Sequence, residues 1–297
     1  MFNAFRDSQY VIYNQARDYF IQNHIQLIKL EKFISSKIHE IINTNIEQIV
    51  DDFNEASYLY PFWQNYPPEE RGRLPIGDQY PWIEVGEHAI GDKLPRLLGS
   101  YFSIRDVGLP TGSDVRLVLT HPEIGNITSG FTEKCWLFLD IKSVGPRDDQ
   151  DHTVMSHNQI SGSGRWDSVD DGVVNEIMVA RGRKASHLFH CSIPPIYVLS
   201  NGTVTPVVVV ILKPVYKMLS LEENSTDIGQ PLRRISFATV PNGLLLHERP
   251  NYLEQYPELF FPGKDDKTKN PLKVRCRVSF RILRSIASWR FQEISAR

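Results

Sequence analysis

Residues 135–142 read Cys135-Trp136-Leu137-Phe138-Leu139-Asp140-Ile141-Lys142, an unbroken apolar run that ends on an acid and a lysine two positions apart. Continuous apolar character from Trp136 to Leu139 predicts a strand buried on both faces rather than one with a face in water. Side chains two apart in a strand share a face. Asp140 and Lys142 therefore project together, while Ile141 turns into the opposite layer and leaves its carbonyl near the same edge. Charged groups at the end of a buried strand are costly unless they are paired or bind a metal.

A second acid, Asp114, stands at the head of another apolar run in residues 112–120, GSDVRLVLT. Asp114 and Asp140 offer the hard oxygen ligands that Mg²⁺ takes, a cation that keeps several waters and bridges to phosphate oxygens. Such a metal neutralises charge developing on a phosphorane and lowers the pKa of an attacking water. Lys142 would sit against the scissile phosphate and orient that water. The three residues together fit metal-dependent phosphodiester hydrolysis, with a structural Asp–Lys pair as the plainer alternative. An acid two residues before a lysine recurs only at Asp265–Lys267, in the polar loop PGKDDKTKNP (262–271) with no apolar strand behind it.

Weaker candidates for an auxiliary acid are Glu84 and Glu87, on a helix predicted from Trp82 to about Leu98. Either could orient Lys142 or assist the metal, and either could simply belong to an exposed acidic face. His187, His190 and Cys191 lie close together but lack a second cluster at zinc-site spacing.

Upstream, residues 8–54 repeat apolar side chains at three- and four-residue steps (Leu27, Leu30, Ile34, Ile38, Ile41, Ile49), which predicts helix, with the asparagines around Asn43 and Asn45 as an interruption. Prolines and glycines in 60–81 forbid a long helix. Strands are expected at 115–119, 135–142, 195–200, 203–213, 233–240 and 273–283. The 195–200 and 203–213 pair flanks Asn201-Gly202, a strong hairpin signal. The polar Gly/Ser-containing stretch between 145 and 190 is too long for a plain connection and reads as a functional loop region. Helices bracket a central block of strands. The fold class expected is α/β with a mixed central sheet flanked by helices.

With 297 residues, 41% hydrophobic and 23% charged, the chain has core material for one large domain or two modest ones. No run is long enough to span a membrane and the N-terminus lacks a signal-peptide layout, so no membrane partner and a cytoplasmic location are expected. Three cysteines without paired spacing read as reduced thiols. A net charge of −2 speaks against a general polyanion coat, yet residues 264–297 hold ten lysines and arginines against three acids. That asymmetry points to a localised anionic partner.

Within this basic segment, Arg275, Arg277, Ser279 and Arg281 alternate with Val274, Cys276, Val278 and Phe280, the pattern of a half-buried strand presenting guanidinium groups. Arginine pairs bidentately with guanine O6 and N7, and a carboxylate can accept from cytosine N4. Lys264, Asp265 and Asp266 just before the strand supply both kinds of group. Two readings stand here: readout of G·C base pairs, or a solvent-facing charged strand.

PWIEVGE (81–87), GLPTG (108–112), FLDIKSVGPRD (138–148), PNGL (241–244), PGKDDKTK (262–269) and VRCRV (274–278), in that order, resemble the BglI family of type II restriction endonucleases, within the PD-(D/E)xK nuclease superfamily. The resemblance spans nearly the whole chain and implies a single restriction-endonuclease-like domain. Its parts would be an N-terminal helical part (8–98), a catalytic sheet (108–143), and DNA-reading loops and strands (145–190 and 260–283). By position it implies Asp114, Asp140 and Lys142 as catalytic residues. Asp114, Asp140 and the Ile141 carbonyl become ligands for Mg²⁺. Lys264, Asp266, Arg275 and Arg277 become base-reading groups, with Asp148 or Asp149 as a further one. It also implies a bacterial homodimer on double-stranded DNA, cutting an interrupted GC-rich palindrome of the GCC-N5-GGC kind to leave 3′ overhangs. The family pattern favours proline before the first acid, where this chain has Ser113. That departure keeps a second reading open, a nuclease-like fold that binds specific DNA without cutting it.

Overall fold

A computed structural model describes residues 2–63, 86–108, 113–173, 179–181, 186–217, 219–220, 228–229, 231–263 and 275–296. The chain opens with three helices, α1 (Phe2–Gln22), α2 (His24–Thr44) and α3 (Ile46–Trp63). Leu27, Leu30, Ile34, Ile38 and Ile42 bury one stripe of α2 in the core. The predicted break at the asparagines is present: Asn45 turns its side-chain amide back onto the Ile41 carbonyl at 2.8 Å and ends α2. Asn23 makes a second break, between α1 and α2, that the periodicity does not reveal.

The helix expected from Trp82 to Leu98 is divided. A π-helical turn, Glu87–Gly91, and a short α4, Leu94–Leu98, are separated by a turn at Asp92 and Lys93. Pro95 sits in the first turn of α4, where its missing N–H does no harm, and this starts a new helix instead of extending the old one. The predicted start of this helix, at Trp82, lies outside the described residues.

Strands β1 (Ser103–Asp106), β2 (Val115–Thr120) and β3 (Lys134–Ile141) follow, with helix α5 (Pro122–Ile127) between the last two. Next come β4 (His152–Ser156), β5 (Ile196–Val198), β6 (Val204–Tyr216) and β7 (Leu232–Val240). The chain closes with α6 (Gly243–His247), α7 (Tyr252–Gln255), β8 (Phe260–Pro262), β9 (Arg275–Ser279), α8 (Phe280–Ile286) and β10 (Phe291–Ser295). Among the described residues the main sheet has seven strands in the order β1-β2-β3-β6-β7-β10, with β5 paired to β6. Only the β3–β6 pair is parallel; the neighbours on either side are antiparallel, so the sheet is mixed as expected. All of β3 from Cys135 to Ile141 is buried, as the continuous apolar run requires. The β5–β6 hairpin turns at Asn201-Gly202, where Gly202 takes φ 79°, a conformation open to glycine without strain.

A second, three-stranded sheet in the order β8-β9-β4 lies beside the end of β3. Strand β4 falls inside the polar 145–190 region and was not separable from loop by composition. Strand β9 ends earlier than predicted, at Ser279. Ser279 caps α8 by accepting the Ile282 N–H at 3.4 Å, and the chain turns helical at Phe280. Arg281 therefore leaves the row of guanidinium groups and pairs with Glu258 at 3.2 Å.

Two glycines mark close approaches between elements. A β-carbon on Gly243, within PNGL, would collide with the Gly162 carbonyl, and one on Gly86, within PWIEVGE, would collide with the Ser143 hydroxyl. The second contact seats the Glu87–Gly91 turn directly against the residue that follows Lys142. Among the described residues no helix is long and apolar enough to cross a membrane.

Candidate active site

The antiparallel ladder between β2 and β3 ends at Val115 opposite Leu139. One residue further, Asp114 and Asp140 stand next to each other at the sheet edge. Asp114 Oδ2 accepts the Ile141 backbone N–H at 2.6 Å. An extended residue sends its N–H and C=O to the same side of the strand, so the Ile141 carbonyl faces the Asp114 edge as well. On the other side Lys142 stays in register with β6, its N–H donating to the Leu212 carbonyl at 2.8 Å.

Asp140 is 3% exposed, yet its carboxylate is well compensated. Lys142 Nζ lies 2.7 Å from Oδ2, and Gln159 Nε2 donates to Oδ1 at 2.6 Å. The predicted common face of Asp140 and Lys142 is thus realised as a direct ion pair. Ser113, in the place where proline was expected, is buried and donates to the Val115 carbonyl at 3.2 Å. Arg116 binds the Ser113 carbonyl at 2.5 Å and the Val107 carbonyl at 3.3 Å, bracing the turn that presents Asp114.

No three His, Cys, Asp or Glu side chains among the described residues form a metal site by themselves. Two carboxylates, the Ile141 carbonyl and nearby solvent make a hard, all-oxygen donor set without thiolate or imidazole. That set fits Mg²⁺ chemistry and not a zinc site. Two acids against one lysine also leave the strand end with a negative charge that a divalent cation offsets.

Beside Lys142 opens a cavity of about 640 Å³ bounded by Ser143, Asp148, Gln150, His152, Lys213 and Arg277 among others. Lys213, on β6, is 2% exposed and donates to the Gln150 and His152 carbonyls at 2.6 and 3.1 Å. Burial drives its pKa down to about 8, against the upward pull of Asp149. Burial, and next the charges of Arg277 and Lys213, lower the pKa of His152. Lys142, Lys213 and Arg277 bring positive charge to the lining, with Asp148 as its acid.

The two acids singled out in the 145–190 region, Asp148 and Asp149, sit in different surroundings. Asp149 forms a bidentate pair with Arg234 at 2.5 and 2.9 Å and lies 3.8 Å from Arg233. Burial raises its pKa, but the Arg234 hydrogen bonds and charge outweigh this and hold it below the usual carboxylate range. Asp148 is exposed and borders the cavity. Arg277 also borders it, with Nη1 on the Pro262 carbonyl at 2.7 Å, and Arg275 lies on the same strand, half-buried. Lys264, Asp265, Asp266 and Glu84 fall outside the described residues, and of Glu87 only the backbone is described. Sequence reasoning missed Gln159, Lys213 and the Arg234 clamp. Ser156-x-x-Gln159 carried a readable capping-box signal; the other two are set by pairings distant in sequence.

The profile of the family described as "Restriction endonuclease BglI" matches residues 8–294. The chain belongs to the BglI restriction endonuclease family. The type II restriction enzyme BglI of Bacillus subtilis is 46% identical over 290 residues, covering 96% of each chain. The crystal structure of BglI bound to its DNA recognition sequence superposes with a TM-score of 0.89 at 45% identity, covering 100% of this chain and 99% of that one. As a member of the BglI family, the chain is a type II restriction endonuclease. Tetrameric SfiI bound to cognate DNA shares the fold alone, with a TM-score of 0.56 and 14% identity over 91% of this chain and 85% of that one.

Proposed function

We propose that the chain is a Mg²⁺-dependent endonuclease that cuts double-stranded DNA as a homodimer, working as a single restriction-endonuclease-like domain in a bacterial cytoplasm. The observation that carries the reading is the strand end itself: Asp140 held between Lys142 and Gln159, with Asp114 fastened one residue away on Ile141. Asp114, Asp140 and the Ile141 carbonyl would hold the metal, which when bound supplies charge neutralisation at the scissile phosphate and a more acidic water. The Lys142 side chain is 31% exposed and borders the cavity. It steers the attacking water and stabilises charge on the phosphate oxygens. Lys213 and Arg277 give the cavity its anion preference, and Asp140's burial keeps its carboxylate fixed in one orientation.

Base reading is assigned to Arg275, Arg277 and Asp148, together with Lys264 and Asp266 from the neighbouring segment. Asp149 serves the scaffold. Guanidinium and carboxylate groups suit G·C pairs. The target assigned is an interrupted GC-rich palindrome of the GCC-N5-GGC kind, cut to leave 3′ overhangs; what the family membership and the DNA-bound BglI relative support is recognition of a specific DNA site. Two copies about a twofold axis match a palindrome and place one site on each strand.

Digestion of a plasmid of known sequence with Mg²⁺, followed by mapping of both ends, tests this. Defined breaks at an interrupted palindrome with 3′ extensions are expected. A shifted gel band without strand breaks at any metal concentration would favour the non-cutting DNA-binding reading instead.

A further inference from the structure

We propose that Gln159 is a positioning residue that couples the base-reading strand to the cutting acid Asp140, an inference that rests on the endonuclease reading above. Gln159 ends a single 3₁₀ turn, His157–Gln159, immediately after β4. Its amide orientation is fixed by chemistry. Oε1 accepts the Ser156 backbone N–H at 2.9 Å, which only the oxygen end can do, and so Nε2 faces Asp140 Oδ1 at 2.6 Å. The Ser156 side chain in turn accepts the Gln159 backbone N–H, completing a capping box. Backbone and side chain of Gln159 are therefore both tied to Ser156, and the amide head cannot swing away without giving up its bond to the Ser156 N–H.

Ser156 is no arbitrary anchor. In the second sheet it lies directly opposite Arg275, and Val154 lies opposite Arg277. A continuous series of bonds runs from the guanidinium-bearing strand β9, across its ladder to β4, through Ser156 and Gln159, to one oxygen of Asp140. The other oxygen meets Lys142. Gln159 thus fixes which carboxylate oxygen of Asp140 is committed to the scaffold and which is offered to the reaction. Any small adjustment of β9 on matching bases reaches Asp140 through a rigid donor rather than through solvent. The bond acts on turnover and on discrimination more than on affinity, because Gln159 itself faces the acid and not the bases.

Full-length wild type, Gln159→Leu and Gln159→Glu are compared at about pH 9.5, above the values of about 8–9 that burial can give a glutamate. Three quantities are read: the single-turnover cleavage rate on a duplex carrying the site mapped with wild type and on a one-mismatch duplex, DNA affinity without divalent metal, and melting temperature. Gln159→Glu keeps the acceptor for Ser156 N–H, loses the donor to Asp140 and, when ionised, sets a second negative charge beside it; Gln159→Leu removes the donor without adding charge. Both variants are expected to cleave about 10- to 100-fold more slowly, the usual cost of losing a group that orients a metal-binding carboxylate. Affinity is expected to move by less than about threefold, the scale of an ordinary surface change, and the ratio of cognate to mismatched cleavage to shrink. Gln159→Glu cleaving at the wild-type rate, or losing affinity in step with cleavage, overturns the inference while leaving the endonuclease reading intact. Wild type that cuts no duplex overturns the endonuclease reading and this inference with it. If Gln159→Leu fails to fold, Gln159→Glu alone decides.

Discussion

The Asp114 carboxylate accepts the Ile141 backbone N–H at 2.6 Å, taking the position that a further residue of β2 would hold in the ladder. An acid is thus built into the sheet edge as a hydrogen-bonding surrogate for backbone, which fixes it beside Asp140. Asp114→Asn keeps an acceptor for Ile141 and removes only the charge. Cleavage is expected to fall at least about 10²-fold, the scale of a lost electrostatic stabiliser, with stability changed by under about 1 kcal/mol. A variant that unfolds readily but cuts normally when folded would show that Asp114 serves the sheet alone.

Neighbouring acids make a contrasting pair. Asp149→Ala removes two of the hydrogen bonds of Arg234, whose side chain is only 21% exposed and keeps its bond to Glu293, and should cost about 1–3 kcal/mol. Asp148→Ala should leave stability within about 0.5 kcal/mol and alter base preference. Because the folded pKa of Asp149 is lowered, its contribution is present above the unfolded carboxylate value, about 3.9, and is lost as pH falls through the folded value. Chemical denaturation of wild type and Asp149→Ala from pH 3 to pH 7 should therefore give stabilities that converge at the acid end.

Lys213 titrates in the opposite window. Its folded pKa, about 8, lies below the ordinary lysine value, so between those values the unfolded chain holds a proton that the folded chain has released. Stability of the wild type should rise with pH through that interval relative to Lys213→Met, by at most about 1.4 kcal/mol per pH unit. Equal slopes for the two proteins in urea titrations would show that the burial of Lys213 does not perturb its charge.

Arg277→Ala tests the reading strand. Loss of a bidentate contact to guanine should weaken discrimination at one G·C pair by about 1–3 kcal/mol. Equal weakening on specific and random duplexes would instead assign Arg277 to phosphate.

Much of this was legible in residues 135–142, because a doubly buried strand and its two charged terminal positions are local facts of pattern. The hairpin at Asn201-Gly202 was equally local, needing only a residue at ease with φ 79°. What escaped was non-local. Strand β4 is five residues of mixed polarity and exists because β9 pairs with it from more than 100 residues away. The end of β9 was misplaced because Val274 to Arg281 keeps its alternation through Ser279, whose side chain caps α8. That Asp149 is clamped by Arg234 was hidden because the partner lies 85 positions away in the chain.

The central claim is that Asp140 performs chemistry and is not simply a buried partner for Lys142. Single-turnover cleavage by Asp140→Asn, with DNA affinity measured on the same preparation, tests it most directly. Isosteric replacement preserves the volume of a side chain that is 3% exposed. The account predicts DNA bound with near wild-type affinity and cleavage reduced at least about 10²-fold. Cleavage at the wild-type rate would contradict it.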